Sequence, residues 1–218
     1  VVNKKCIIRL LRYKNALHRL NSLGFVKVFS DNLADAVGVT ASQVRKDFSL
    51  FGICGNKRGG YQIEALLDKL NRILGKNEQQ KVVIVGGGNI GAALMKYKGF
   101  EKEGVKIAAC FDIDPAKYNH REGDIPVLPL EQLKDFVRQH HIRIGVIAVP
   151  DIAAQQVLDL MLAAGIKGVL NFAPIRLRAA SDCVINNVNL VLELETVIYF
   201  IINGLEKSIA EIHEEQKS

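Results

Sequence analysis

Three glycines at G-x-G-x-x-G spacing, Gly86, Gly88 and Gly91, follow directly on the apolar run Val82-Val83-Ile84-Val85. Such a run predicts a buried parallel strand, then a tight turn, then a helix N-terminus. The chemistry open to that arrangement is phosphate binding. The first glycine makes the turn, the second lets backbone approach a pyrophosphate, and the third lets helix pack on strand. Gly86, Gly87, Gly88, Asn89, Ile90 and Gly91 are therefore candidate cofactor residues, with free N–H groups and the positive helix end facing the phosphates. A carboxylate stands where that chemistry wants one. Asp112 ends the strand-like run Val105–Phe111, 26 residues after Gly86. Its expected role is to accept hydrogen bonds from the adenosine ribose hydroxyls. A negative charge there repels a 2′-phosphate, so NADH or NAD⁺ is the expected cofactor.

Elements must position these groups. Further strand-like runs, Ile144–Pro150 and Gly168–Pro174, alternate with helical spacings at Leu130, Leu133, Phe136 and Val137 and at Ile152, Val157, Leu160 and Met161. Ile125-Pro126-Val127 reads as a short edge element. The alternation predicts an α/β, Rossmann-like, doubly wound parallel sheet over residues 81–189. Ligands of such sheets lie at the carboxyl ends of strands. That rule adds Val149, Pro150, Asn171, Phe172, Ala173 and Pro174 to the candidate site. A final helix over residues 190–213 carries Leu192, Leu194, Val197, Ile198, Tyr199, Phe200, Ile201 and Ile202, with little polar face left. A helix apolar nearly all round needs cover on several sides, and a second subunit is the expected cover.

The charge is divided along the chain. Residues 1–76 hold 14 Lys+Arg against 5 Asp+Glu, a net of +9, whereas residues 77–218 carry a net of −3. A basic first domain, residues 1–77, is expected to meet a polyanion. Ser30 can cap a short helix that Gly38 ends. Thr40 starts the next, with Gln43 as a capping-box partner. Val44, Phe48 and Phe51 make the apolar face of that second helix, and Ser42, Arg45, Lys46 and Ser49 the polar one. This is a helix-turn-helix pattern, and Ala41, Ser42, Gln43, Arg45, Lys46 and Ser49 are the candidate DNA-binding residues. The turn dipeptides Gly55-Asn56 and Gly59-Gly60 bracket Lys57 and Arg58, which predicts a β-wing placing two more cations against DNA. Arg9, Arg12, Lys14 and Arg19 are expected on the solvent faces of the first helix.

Four cysteines without Cys-x-x-Cys spacing argue against a zinc site or a disulfide framework, and for a reducing cytoplasm. The apolar run near residues 196–202 is too short to span a membrane. The rival class is an NAD-dependent dehydrogenase, but its proton-transfer group has no good candidate. His140 and His141 fall on the far rim, and His120 on the adenosine side. A coenzyme-A- or nucleotide-binding regulator is a third reading.

The sequence resembles the Rex family of redox-sensing transcriptional repressors over essentially its whole length. The likeness rests on Val39–Ser49 with Phe51-Gly52, on Gly86–Gly91 with Tyr97-Lys98-Gly99-Phe100, and on Ala109–Pro115. Val149-Pro150, Ala164–Gly168 and Asn171–Pro174 also carry it. The resemblance implies a homodimer that binds NADH or NAD⁺ in its Rossmann domains. It also implies a final helix swapped between subunits beneath the partner's DNA-binding domain. It implies operator binding when NADH is low and release when NADH closes the dimer. The regulated genes of such repressors typically serve anaerobic or fermentative NADH reoxidation. In the family, Arg and Asp often stand where this sequence has Asn15 and Asn189. Together with a tyrosine matching Tyr97 they form a polar triad, which adds Tyr97 to the candidate site. The wing cations Lys57 and Arg58 sit one place from the family's usual position.

Overall fold

The computed structural model describes residues 3–56, 59–75, 78–118, 121–122, 124–179 and 183–215. The chain divides between Gln79 and Gln80 into two compact units, inside the polar run Gly75-Lys76-Asn77-Glu78-Gln79-Gln80, which reads in the sequence as a linker.

The first unit is α1 (Lys4–Ser22), β1 (Lys27–Val28), α2 (Ser30–Val37), α3 (Ala41–Leu50), β2 (Tyr61–Gln62) and α4 (Ile63–Ile73). Asn3 caps α1 by accepting from the Cys6 N–H, and Gly24 turns the chain away at φ +85°. Ser30 lies inside α2 rather than capping it. The side chain of Asn32 turns back to the Phe29 N–H instead (3.1 Å). Thr40 caps α3 through the Gln43 N–H, as its sequence predicts. Leu10, Leu17, Leu33, Val44, Phe48, Ile63 and Leu70 close one core, in which the Phe48 ring meets Tyr13 and Tyr61 edge-on. β1 pairs antiparallel with β2, and a single bridge joins Asn56 to Gly60. This is the wing. Its first strand has only two residues, too few for periodicity to show. Lys57 and Arg58 lie outside the described residues.

The second unit runs β3 (Gln80–Val85), α5 (Asn89–Lys96), α6 (Gly99–Lys102), β4 (Val105–Asp112), β5 (Arg121–Glu122), β6 (Ile125–Pro129), α7 (Leu133–Gln139), β7 (Ile144–Ile147), α8 (Asp151–Ala164), β8 (Gly168–Asn171), β9 (Val184–Asn187) and α9 (Leu190–Glu215). The sheet order is β5-β6-β4-β3-β7-β8-β9, parallel throughout except for β5. Numbered along the chain, the six parallel strands read 3-2-1-4-5-6, the doubly wound order. Alternate residues feed two cores. Val83, Val85, Phe111, Ile147 and Val169 meet α7 and α8 on one face, and Val82, Ile84, Cys110 and Val146 meet Met95 of α5 on the other.

Three features depart from the sequence reading. The sequence places the first crossover helix from Asn89 to about Phe100, but the helix does not run that far. It stops at Lys96, and α6 restarts at Gly99, whose missing Cβ leaves room for the Tyr97 ring. In α8, Ile152 and Leu160 are exposed (92% and 43%), and Ala154, Leu158 and Ala164 take the buried face with Val157 and Met161. The sixth parallel strand, β9, has no signal in the sequence, because Val184-Ile185-Asn186-Asn187 carries no alternation.

The strand-to-helix turn after β3 is set by close backbone approach. Gly86 has φ +104°, and a Cβ there would run into the Ala148 carbonyl oxygen at the end of β7. A Cβ on Gly91 would run into the carbonyl oxygen of Gly86 itself. Neither obstacle is a flexible side chain. Gly91→Ala is expected to destabilise the second unit by about 3 kcal/mol, the upper range for an overpacked site, read as a lowered urea-unfolding midpoint.

Candidate functional site

The chain reverses its winding direction between β3 and β7, and a crevice opens there beyond the strand ends. It is a cavity of about 520 Å³ whose lining includes Gly86, Gly88, Asp112, Lys117, Val149 and Pro150. That volume is in the range of small-molecule and cofactor sites. A larger cavity of about 710 Å³ lies elsewhere, against Tyr97, Phe100, Val105 and Lys106. Residues starting β4 line it, so it belongs to the opposite rim. Tyr97 is therefore not brought to the glycine turn. Eight residues of α5 carry the chain back about 12 Å along the sheet.

The groups around the turn suit a pyrophosphate and a ribose. Gly88 precedes α5 with no side chain capping the helix, so its first N–H groups are available to an anion. A Cβ on Gly88 would meet no protein atom within 4 Å. Protein packing thus does not demand a glycine there, and the open space leaves room for close approach by a ligand. Asn89 and Ile90 are exposed beside it. Asp112 is 7% exposed. It accepts from the Gly87 N–H (2.6 Å) and Lys117 Nζ (3.0 Å) on Oδ2, and from the Asp114 N–H (2.9 Å) on Oδ1. Burial by itself would push the Asp112 carboxyl up. The hydrogen bonds from Asp114, Lys117 and Gly87, with the Lys117 charge, outweigh it and hold the group below the usual carboxylate range. Behind the turn, burial and the Asp112 charge push the Cys110 thiol up to about 12. A buried thiol held protonated is a poor nucleophile.

At the end of β8 the expected residues separate. The Asn171 side chain is fully buried. It donates to the carbonyls of Ala173 and Ile175 and to Asn187 Oδ1, and accepts from the Ala173 N–H. It fixes the loop rather than facing the cavity. Ala173 is in the core, Phe172 packs half-buried on the α5 face, and Pro174 is exposed. None of these lines the cavity. Their spacing after a strand placed them on the right rim but could not say which way each side chain points.

In the first unit, α3 presents Ser42, Arg45, Lys46 and Ser49 to solvent, with Ala41 half-buried at its start. Gln43 departs from expectation, because its amide donates to Asp47 Oδ1 (2.8 Å). Asp47, not singled out from the sequence, is fully buried. Arg9 grips it with Nε at 2.6 Å and a second nitrogen at 2.7 Å, Tyr13 OH donates at 3.0 Å, and Cys6 Sγ lies at 3.5 Å. Burial alone would raise the Asp47 carboxyl, but the hydrogen bonds from Arg9, Gln43 and Tyr13 and the Arg9 charge hold it low. The recognition helix is thereby tied to α1. Arg9 and Lys14, expected on solvent faces, are both drawn inward, Lys14 to 3% exposure. The signal for Asp47 was an acid on the apolar side of an otherwise basic helix.

In α9, every described large apolar residue from Leu190 to Ile202 is roughly half exposed or more. Asn189 caps this helix by accepting from the Val191 and Leu192 N–H groups. Asn15 is exposed on α1, beside Arg12 and Arg19. Among the described residues no helix is long and apolar enough to cross a membrane, and no cluster suits a metal ion.

A basic winged helix joined to a doubly wound nucleotide-type domain defines a DNA-binding regulator with a ligand-sensing half. The comparisons bear this out in both units. Residues 2–49 match the family model described as "Putative DNA-binding protein N-terminus", and residues 77–175 match the CoA binding domain. The redox-sensing transcriptional repressor Rex of Desulforamulus reducens is 42% identical over 88% of this chain and 92% of its own. That of Carboxydothermus hydrogenoformans is 40% identical over 89% and 94%. The crystal structure of RSP with β-NAD⁺ and operator DNA superposes with a TM-score of 0.89 at 36% identity, over 96% of this chain and 97% of that one. RSP with β-NADH gives a TM-score of 0.85 at 36% identity, over 96% and 99%. The chain belongs to the Rex family of redox-sensing transcriptional repressors, and it is a regulator rather than an enzyme.

Asp47→Ala leaves Arg9 and Tyr13 without their buried acceptor, at an expected cost of about 3–5 kcal/mol. The Asp47 carboxyl is lowered in the folded state, so its stabilisation is complete above about pH 4, the unfolded value, and fades as pH falls through the folded one. Urea midpoints of the wild type and the variant should therefore differ widely at pH 7 and converge in acid.

Proposed function

We propose that this protein reads the NADH/NAD⁺ ratio through the cavity at Gly86–Gly91 and reports it through α3. It holds operator DNA when NADH is scarce and releases it when NADH is bound. The observation that carries this is the chemistry of the cavity. Among its described lining residues the only polar side chains are Asp112, Asp114, Lys117 and Gln156. These can bind and orient, but no histidine or other group suited to shuttling a proton at neutral pH stands there. RSP, similar along nearly the whole chain, has been crystallised with β-NADH and with β-NAD⁺ plus operator DNA.

In this reading the glycine turn and the first turn of α5, together Gly86 to Gly91, meet the pyrophosphate. Asp112 accepts from the adenosine ribose, and Val149 and Pro150 wall the dinucleotide where β7 ends. Bound NADH supplies a reduced, uncharged nicotinamide in place of the charged oxidised ring. A partly apolar wall discriminates between the two forms. On the DNA side, Arg45 and Lys46 donate to guanine edges or phosphates, and Ser42 and Ser49 to phosphates. Ala41 and Gln43 lie at the groove-facing start of the helix. Lys57 and Arg58, between the two turn dipeptides in the sequence, are the further cations this reading assigns to DNA.

The reading also includes a homodimer through α9. A single chain leaves Leu192, Val197, Ile198, Phe200 and Ile201 uncovered, and full burial of each such side chain is worth about 1.5–3 kcal/mol. Two copies would set two recognition helices on operator half-sites one helical turn apart. Its place of work is the cytoplasm, where operator DNA and the nucleotide pool meet.

At fixed salt, saturating NADH should weaken operator binding at least about tenfold relative to saturating NAD⁺, a coupling in the usual 1–3 kcal/mol range. Fluorescence anisotropy of a labelled operator measures it, and equal affinities would sink the proposal. Coenzyme A in the same titration should leave operator affinity unchanged. Ile198→Glu with Ile201→Glu should convert a dimer to a monomer in sedimentation velocity. Wild-type protein that sediments as a monomer would refute the assembly.

A further inference from the structure

We infer that Lys117 decides which adenosine ribose the cavity accepts, setting how strongly a 2′-phosphate is refused. The inference rests on the reading that this cavity takes a dinucleotide. It follows from counting acceptor positions on Asp112.

An ionised carboxylate offers about four acceptor sites, two on each oxygen. On Asp112, Oδ2 already takes the Gly87 N–H at 2.6 Å and Lys117 Nζ at 3.0 Å. Oδ1 takes the Asp114 N–H at 2.9 Å. One site remains. A ribose with free 2′- and 3′-hydroxyls has two O–H donors to place. Two of the three resident donors are backbone N–H groups, held by the turn after β3 and by the turn after β4. The second turn is fixed further by Asp114, which accepts from the Ala116 N–H, and by Tyr118 OH, which donates to the Asp112 carbonyl. Neither backbone donor can leave without rebuilding its turn. Lys117 can leave by rotating about its own side-chain bonds, and that side chain is 37% exposed. A ribose diol that engages Asp112 fully therefore displaces the Lys117 ammonium.

A 2′-phosphate meets the opposite situation. Ionised, it has no proton for Asp112 and is repelled by it. It needs a cation, and Lys117 is the one cation among the described lining residues of the cavity. The ammonium already stands against the carboxylate where that phosphate would come. Lys117 thus competes with the diol and attracts the phosphate. It opposes the discrimination that Asp112 alone would give, so the simple reading of an acid at this position overstates the preference for NAD(H).

The test is titration of full-length wild type, Lys117→Met, Lys117→Gln and Lys117→Arg with NADH and with NADPH, followed by nucleotide fluorescence. Wild type should bind both. In Lys117→Met and Lys117→Gln the ratio of the NADPH to the NADH dissociation constant should rise at least about tenfold. NADH itself should bind as tightly as before or more tightly. Lys117→Arg, which keeps charge and donors, should keep the wild-type ratio. An unchanged ratio in both neutral variants overturns the inference, as does wild type that binds NADH and no NADPH. NADH binding weakened along with NADPH in the neutral variants would make Lys117 a general anion contact and also overturn it. Wild type that binds neither nucleotide refutes the dinucleotide reading beneath it.

Discussion

The second unit depends on one close approach, the backbone of Gly86 against the carbonyls around it. Gly86 donates its N–H to the Phe111 carbonyl of β4, and its Cα faces the Ala148 carbonyl just past β7, with no room for a Cβ. Gly91 then brings α5 against the Gly86 carbonyl. This one turn therefore fixes β4, β3, β7 and the first turn of α5 relative to one another. The consequence is chemical. It aims uncapped helix N–H groups and the Asp112 carboxylate into a single crevice, at the one place where the sheet reverses direction. The glycines serve two ends. Gly86 and Gly91 are demanded by protein atoms, whereas Gly88 faces open space and is free for a ligand.

The first unit is held by a different kind of constraint. Its recognition helix is short, and ten residues of α3 would not persist alone in water. Val44 and Phe48 anchor it by burial, and Asp47 anchors it by direction, since the two-nitrogen grip of Arg9 fixes rotation as well as distance. A buried ion pair is costly to desolvate and is weak evidence of stability. Its value here is orientation. It presents Arg45 and Lys46 outward from a helix that cannot turn about its own axis.

α9 poses a third constraint. Its surface is apolar where a solvated helix would be polar, which is why the proposed assembly covers it with a second copy. Asn189 starts the helix with a side-chain cap that carries no charge. An asparagine caps about as well as an aspartate, so the helix loses nothing locally. Asn189 and Asn15 are both neutral, so the ion pair that the family resemblance implies at these positions cannot form in this chain.

Local rules made much of this legible in the amino-acid sequence alone. Residue types and spacing specified the glycine turn, Asp112, the basic face of α3, the wing turn and the unpartnered character of α9. Each of these is a property of residues a few positions apart, which periodicity and turn chemistry report directly. Tertiary structure decided what depends on distant partners. Asn171 became a loop anchor because Asn187, on a strand without alternation, came to lie beside it. Gln43 and Arg9 turned inward because Asp47 sat between their helices. Tyr97 went to the far rim because α5 runs back along the sheet. Lys117 found Asp112 only once the turn after β4 had closed. Spacing along a helix or strand says which face a residue occupies, but a side chain's partner is chosen by the element that packs against that face, and this requires the fold.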